Sequence, residues 1–145
     1  MVELTKYLPL AAALALTAFQ SSARAASVPA GSGLATFNDY QQFPLSALKY
    51  NPPFCGMPYT SLDVTRITAV AGLTLEQCGT CLKVSSAADP AKSTYVLAVD
   101  KCAGGLDLSK PAFAKILNTD AGKTDVKWTP VDKKFCSGVY PAGGI

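Results

Sequence analysis

The 145-residue sequence contains no histidine. This absence excludes a nucleophile activated by a histidine base and a zinc ion held by imidazole rings. Acid–base chemistry would have to use carboxylates. The chain has ten Asp and Glu residues, and all but Glu3 follow residue 25. These are Asp39, Asp63, Glu76, Asp89, Asp100, Asp107, Asp120, Asp125 and Asp132.

The sequence also lacks a block of basic residues. Its formal net charge is +3, and positive and negative side chains alternate along the chain. A nucleic-acid-binding surface needs clustered lysine and arginine. We therefore expect no nucleic-acid partner.

Only one long apolar run is present, and it lies at the N-terminus. Lys6 precedes the run Tyr7 to Phe19, and Ala23-Arg24-Ala25 follows as an A-x-A cleavage site. These features predict a secretory signal peptide at residues 1–25, with a buried N-terminal helix as the alternative. We expect a single secreted domain at residues 26–145, located outside the cell or in the cell wall, without a membrane partner.

The five cysteines are Cys55, Cys78, Cys81, Cys102 and Cys136. Cys78 and Cys81 form a Cys-x-x-Cys, which occurs in redox sites, in metal sites and in disulfide frameworks. A redox pair opens a helix, but the segment Cys78 to Val84 reads as extended. Three steps of roughly 3.3 Å exceed the ~7 Å Cα limit for a bridge, so the two cannot pair with each other. A zinc site would need a second such pair. We expect two structural disulfides, with no metal and no cofactor.

The remaining pattern predicts an all-β fold with one or two short helices. Predicted strands lie at residues 34–40, 62–71, 81–86, 93–100 and 124–136, a short helix begins after Ser109, and residues 41–61 are an irregular, proline-rich segment. The apolar run Tyr95 to Val99 is typical of a buried strand. A chain this short must protect its sheet edges, which favours a small barrel closed by its last strand.

Several motifs occur in an order that resembles the double-psi β-barrel superfamily. They are "ATF", "FCG", "CGTCLKV", "YVLAVDKC", "LDLSKPAFAKI" and "VKWTPV". Relatives in this superfamily include barwin, the first domain of expansins, the fungal cerato-platanins and rare-lipoprotein-A-like domains. The cysteine pattern is most similar to cerato-platanins, whereas "LDLSKPAF" is closer to expansins. The resemblance implies a six-stranded double-psi β-barrel.

The resemblance also implies the cysteine pairing. It joins Cys55 to Cys78 and Cys81 to Cys136. Cys102 then remains as a free thiol, either a small buried apolar residue or a site of intermolecular pairing.

The resemblance further implies a carboxylate site. Expansins and their relatives among the endoglucanases carry an aspartate before the helix, and Asp107 occupies that place. Expansins usually have a histidine two residues earlier, where this chain has Gly105. If the protein is hydrolytic, the catalytic candidates are Asp107 and Asp39, because an inverting mechanism needs a second carboxylate across the sugar.

A polysaccharide groove would use further residues near Asp107. We predict that Thr36, Phe37, Tyr40 and Asp100 contribute to it, through hydroxyls, carboxylate and aromatic faces. Phe37 has a core position as its alternative, and Asp100 has a structural alternative in which it binds loop backbone.

Three functions are compatible with these features. The first is a non-catalytic binder or loosener of wall polysaccharide, such as chitin, β-glucan or cellulose, which also acts as an elicitor or effector at a host receptor. The second is a weak glycoside hydrolase. The third is a secreted protease inhibitor that uses the proline-rich segment to contact a host protease.

Overall fold

The computed structural model describes residues 26–141. The predicted signal peptide at 1–25 and the last four residues lie outside the described residues. In chain order the strands and helices are β1 (Gly31–Asn38), α1 (Leu45–Tyr50), β2 (Ile67–Ala71), β3 (Cys81–Ser86), β4 (Ser93–Cys102), β5 (Leu106–Ser109), α2 (Lys110–Ala114) and β6 (Thr124–Val131). One-turn 3-10 helices lie at Tyr40–Gln42, Tyr59–Ser61, Leu75–Gln77, Thr119–Ala121 and Lys133–Cys136.

The six strands form a closed barrel in the order β1-β5-β2-β4-β3-β6. The β1–β5 and β2–β4 pairs are parallel, and the other four pairs are antiparallel. Because β6 pairs with both β3 and β1, no strand of the barrel has an open edge. The predicted all-β barrel, with six strands and two short helices, is confirmed.

The apolar side chains form two cores, one inside the barrel and one between its outer face and the loops. The inner core includes Ala35, Val70, Leu82, Val84, Val96, Ala98, Leu106, Leu108, Phe113 and Val126. The outer core includes Tyr40, Met57, Tyr59, Leu62, Ile67, Cys81, Leu97, Val99, Cys136 and Val139. The outer core holds the long loop between β1 and β2 against the barrel, beside the candidate site described below.

Strand β5 is an element that the sequence pattern does not predict. Leu106 and Leu108 alternate into the inner core, but the alternation lasts only four residues before α2 begins. The strand is stabilised by its two neighbours and not by its own length. Ser109 lies at the N-cap position of α2 as predicted, yet its hydroxyl donates to the carbonyl oxygen of Thr65 at 2.7 Å and does not cap the helix.

Other segments also differ from their sequence-based predictions. The first strand, predicted at 34–40, spans Gly31–Asn38, and the strand predicted at 93–100 continues to Cys102. The proline-rich segment 41–61 contains α1, because Pro44 stands at the N-cap position and therefore does not interrupt the helix. The strand predicted at 62–71 begins only at Ile67, after a turn in which Asp63 Oδ1 accepts from the Thr65 amide at 3.1 Å. The last strand ends at Val131, because Asp132 caps the 3-10 helix that follows.

Two disulfides tie the loops to the barrel, Cys55–Cys78 and Cys81–Cys136, with Cα–Cα distances of 5.6 and 5.8 Å. These are the pairs that the family resemblance implies. The extended geometry expected from residue 78 onward is wrong, since Gly79 has a φ of 75° and β3 begins only at Cys81. The conclusion drawn from it is nevertheless correct, because Cys78 and Cys81 pair with different partners.

The seam between β1 and β6 is closed by Trp128, the only tryptophan in the sequence. Its indole Nε1 donates to the carbonyl oxygen of Pro29 at 3.1 Å. A Cβ atom on Gly31 would approach the indole ring to 2.7 Å. Glycine at this position therefore allows the indole ring to pack closely against the first strand.

Candidate functional site

A lateral row of residues crosses four neighbouring strands. Thr36 on β1 is in register with Asp107 on β5, Asp107 with Ala69 on β2, and Ala69 with Asp100 on β4. Neighbouring strands lie ~4.8 Å apart, so the row from Thr36 to Asp100 is about 14 Å long. We call these four residues the polar row, because three of them, Thr36, Asp107 and Asp100, have polar side chains. It has the length required to contact a short run of sugar rings.

Asp100 belongs to the polar row because β4 contains a bulge. Between Thr68 and Ala69 the register on β4 advances from Ala98 to Asp100. Val99 is therefore an extra residue, and it is buried in the outer core. Without the bulge, alternation would turn Asp100 toward the barrel interior.

Asp107 is half-buried, and both of its carboxylate oxygens are engaged by β1. The Thr36 hydroxyl donates to Oδ1 at 2.8 Å, and the Asn38 side-chain amide donates to Oδ2 at 3.1 Å. A carboxylate has about four acceptor positions, so positions remain for a ligand. Sequence reasoning missed Asn38, although its spacing of two residues from Thr36 puts both on one face of β1.

Asp100 has a structural role in the loop beside it. Its Oδ1 accepts from the backbone amides of Phe54 at 2.9 Å and Lys101 at 2.8 Å, and its Oδ2 accepts from the Tyr59 hydroxyl at 3.1 Å. These contacts match the alternative in which Asp100 binds loop backbone. Little acceptor capacity remains on Asp100 for a direct contact with sugar.

The two aromatic residues predicted to line the groove offer little open ring surface. Tyr40 is only 6% exposed, and its ring lies 5.3 Å from that of Tyr59. Phe37 is half-buried and packs on Phe113 at 5.0 Å, in agreement with its core alternative. Little of the Tyr40 ring is therefore accessible for stacking on a sugar. This ring supports the polar row by packing in the outer core.

Burial and negative charge raise the pKa values of Tyr40 and Tyr59, whose rings pack at a tilt of 35°. Burial raises the pKa of the Tyr40 hydroxyl to about 12, and the charges of Asp107 and Asp100 add to this effect. Burial also raises the pKa of Tyr59, with smaller contributions from Tyr40 and Asp100. Both hydroxyls therefore remain protonated in the folded protein under conditions where the unfolded chain ionises.

This difference predicts a loss of stability in alkaline solution. From about pH 10 to about pH 12 the unfolded chain releases protons that folded Tyr40 retains, so the free energy of unfolding falls as the pH rises. Below pH 10 the contribution is fully present. Urea denaturation below pH 10 and near pH 11 should show a smaller loss for Tyr40→Phe than for the wild type. A Tyr50→Phe control, at an exposed position, should behave like the wild type. Equal losses for all three proteins would contradict this explanation.

Asp39, the second catalytic candidate, is engaged elsewhere. Its Oδ2 lies 3.0 Å from the Lys110 ammonium in a partly exposed ion pair. It stands at the N-cap position of the 3-10 helix Tyr40–Gln42, without a side-chain capping bond. Asp39 follows β1 and is not part of the polar row, so it is poorly prepared to act as a general base opposite Asp107.

The backbone leaves no room for a side chain at Gly105, the position two residues before Asp107. Its φ is 55°, and a Cβ atom built on it would overlap the backbone carbonyl oxygen of Leu34. The β5 entry therefore passes so close to β1 that a side chain cannot be accommodated there. A histidine at this position would require a different path of the backbone.

The free thiol of Cys102 lies at the end of β4 and is half-buried beside Gly104 and Gly105. Its Sγ is 3.5 Å from the carbonyl oxygen of Gly104 and 3.6 Å from that of Gly105. Burial raises its pKa, which lowers the thiolate fraction and the reactivity of the thiol.

Within residues 26–141 we found no cluster of three or more metal-ligating side chains. The helices in this part of the chain are also too short or too polar to cross a membrane. A cavity of about 350 Å³ lies around the Cys78–Thr80 turn and is lined in part by Leu75 and Lys133. It includes no residue of the polar row, so the candidate site lies outside this cavity.

Comparison with known proteins gives the same fold. The cerato-platanin family model matches residues 46–139, well over half of the chain. The described barrel is similar to a mutant Clavibacter michiganensis expansin in complex with cellohexaose, with 24% identity, a TM-score of 0.56 and coverage of 79% of this chain and 53% of that one. The chain therefore spans about half the length of that expansin.

Two cerato-platanin structures match over nearly their full length. Cerato-platanin 3 from M. perniciosa has 22% identity and a TM-score of 0.56, with 73% of this chain and 98% of that one covered. The fungal elicitor cerato-platanin, solved in solution, has 22% identity and a TM-score of 0.56, with coverages of 74% and 98%. None of the curated proteins searched matches the sequence. These structural matches, together with the family match, establish a shared double-psi β-barrel fold.

Proposed function

The chain belongs to the cerato-platanin family, and from this premise we propose that it is a secreted, non-catalytic protein that binds cell-wall polysaccharide at the polar row. The observation that carries the proposal is the hydrogen bonding and partial exposure of the Asp107 carboxylate. Its carboxylate is fixed by Thr36 and Asn38, remains partly exposed, and keeps free acceptor positions. Such a group accepts charge-assisted hydrogen bonds from sugar hydroxyls.

The same contacts argue against hydrolysis. An inverting mechanism needs a second carboxylate to activate water. Asp39 is paired with Lys110, and Asp100 accepts three hydrogen bonds from the protein. Asp107 therefore has no free carboxylate partner in the row, and we favour binding without cleavage.

Secretion is part of the proposal. The N-terminal apolar run with its A-x-A site and the two disulfides both suit an oxidising, extracellular compartment. A role as an elicitor or effector during contact with a host is supported by family membership. The mature protein would begin at Ala26, which N-terminal sequencing of secreted material tests.

The polysaccharide itself is identified by a pulldown. Purified protein is incubated with insoluble chitin, cellulose and β-glucan, and reducing-sugar release is measured in the same tubes. We expect retention on at least one polymer without release of sugar. Absence of retention on all three polymers would contradict the proposal, and release that depends on Asp107 would instead identify a hydrolase.

A further inference from the structure

Phe54 lies directly beyond the Asp100 end of the polar row. Its backbone N–H donates to Asp100 Oδ1 at 2.9 Å, and the next amide, of Cys55, donates to the carbonyl oxygen of Val99 at 3.0 Å. These bonds hold the loop against the bulged end of β4. Phe54 therefore lies next to the Asp100 end of the polar row.

One face of the Phe54 ring is contacted by an exposed lysine. Phe54 is 36% exposed, and the ammonium of Lys101, itself an exposed residue, lies 4.0 Å above the ring centroid. A lysine can occupy this place only because the face is not packed against the protein. An exposed contact between a lysine and an aromatic ring is weak, so a ligand can displace the ammonium.

The covalent structure around Phe54 restrains its position. Pro52 and Pro53 precede it and fix their own φ angles. Cys55 follows and is joined to Cys78. A flat apolar surface that is ordered before binding loses little conformational entropy when a ligand stacks on it.

We infer that Phe54 is a sugar-stacking subsite at the end of the groove, used by linear β-linked glycans that extend from Asp107 past Asp100. This inference rests on the proposed function and adds the direction and minimum length of the ligand. Pyranose rings with equatorial linkages present a flat C–H face, which an aromatic ring contacts favourably. A short oligomer held at Asp107 would not reach Phe54, whereas a longer one would.

The test is the dependence of affinity on ligand length. Calorimetric titration is carried out with β-1,4-linked oligomers of glucose and of N-acetylglucosamine, each from dimer to hexamer. Phe54→Ala should weaken binding of the hexamer about fivefold to tenfold and leave the dimer unchanged. Phe54→Trp should keep the wild-type dependence on length. Phe135→Ala, which removes a ring of similar exposure (40%) on another element, should have no effect.

Other outcomes overturn the inference. If Phe54→Ala binds the hexamer like the wild type, or weakens dimer and hexamer by the same factor, Phe54 is not an end subsite, while binding at Asp107 stands. If the wild type binds neither series, the inference falls, and the proposed function falls with it only if the wild type is also retained on none of the three insoluble polymers. Phe54→Leu keeps an apolar side chain in the loop but removes the flat face, so it supplies the same test if the alanine variant does not fold.

Discussion

Replacing Gly105 by alanine should strongly destabilise the barrel. The residue has a φ of 55°, and the new Cβ atom would overlap the carbonyl oxygen of Leu34. Relief by movement is difficult, because the Gly105 carbonyl also accepts from the Ala71 amide at 3.0 Å. Backbone strain and overpacking together should cost more than about 3 kcal/mol. This cost is a large share of the ~5–15 kcal/mol that stabilises a typical domain.

The matched control is the neighbouring residue, Gly104. A Cβ atom at this position meets no heavy atom within 4 Å, so Gly104→Ala should change the free energy of unfolding by less than about 0.5 kcal/mol. Both variants are compared by urea denaturation and by the yield of soluble protein. A Gly105→Ala protein as stable as the Gly104→Ala protein would show that β5 does not approach β1 as described.

Removing the disulfide Cys81–Cys136 should have the second large effect on stability. It closes a sequence separation of 55 residues, whereas Cys55–Cys78 closes 23. The entropy of loop closure predicts a loss of about 4 kcal/mol for the first and about 3 kcal/mol for the second. The double variant Cys81→Ala/Cys136→Ala should therefore unfold at a lower urea concentration than Cys55→Ala/Cys78→Ala. Replacing both partners avoids new thiols that would mispair with Cys102.

Cys102→Ala is the control for these measurements. This cysteine is half-buried and forms no disulfide in the described part of the chain, so its loss should cost much less than either bridge. If the variant without Cys81–Cys136 were as stable as Cys102→Ala, the bridge would not be a main constraint on the fold.

The sequence predicts secondary structure best where an apolar pattern is long. The apolar run Tyr95 to Val99 predicts a buried strand, and it lies within β4. Strand β5 escapes prediction because four alternating residues run directly into a helix, and its stability comes from pairing with β1 and β2. The flanking prolines indicate an interruption and therefore conceal helix α1, although Pro44 precedes the helix.

The candidate site was predictable only in part. Family resemblance suggested Asp107 and Thr36, which are hydrogen-bonded to each other. The alignment of Asp100 with Asp107 depends on the bulge at Val99, which no local sequence signal indicates. The burial of Tyr40 depends on Tyr59, which is distant in sequence and packs against it. These contacts join residues far apart in the chain, so alternation and propensity cannot reveal them.

The central claim is that the Asp107 carboxylate binds polysaccharide without cleaving it. The most direct measurement compares retention of wild type, Asp107→Asn and Asp39→Asn on the polymer that the wild type prefers, together with sugar release and thermal unfolding. Loss of charge-assisted hydrogen bonds worth ~1.5–3 kcal/mol should weaken retention of Asp107→Asn by about tenfold or more. Asp39→Asn should bind like the wild type, and none of the proteins should release sugar. Wild-type retention by a folded Asp107→Asn protein, or sugar release that both substitutions abolish, would contradict the claim.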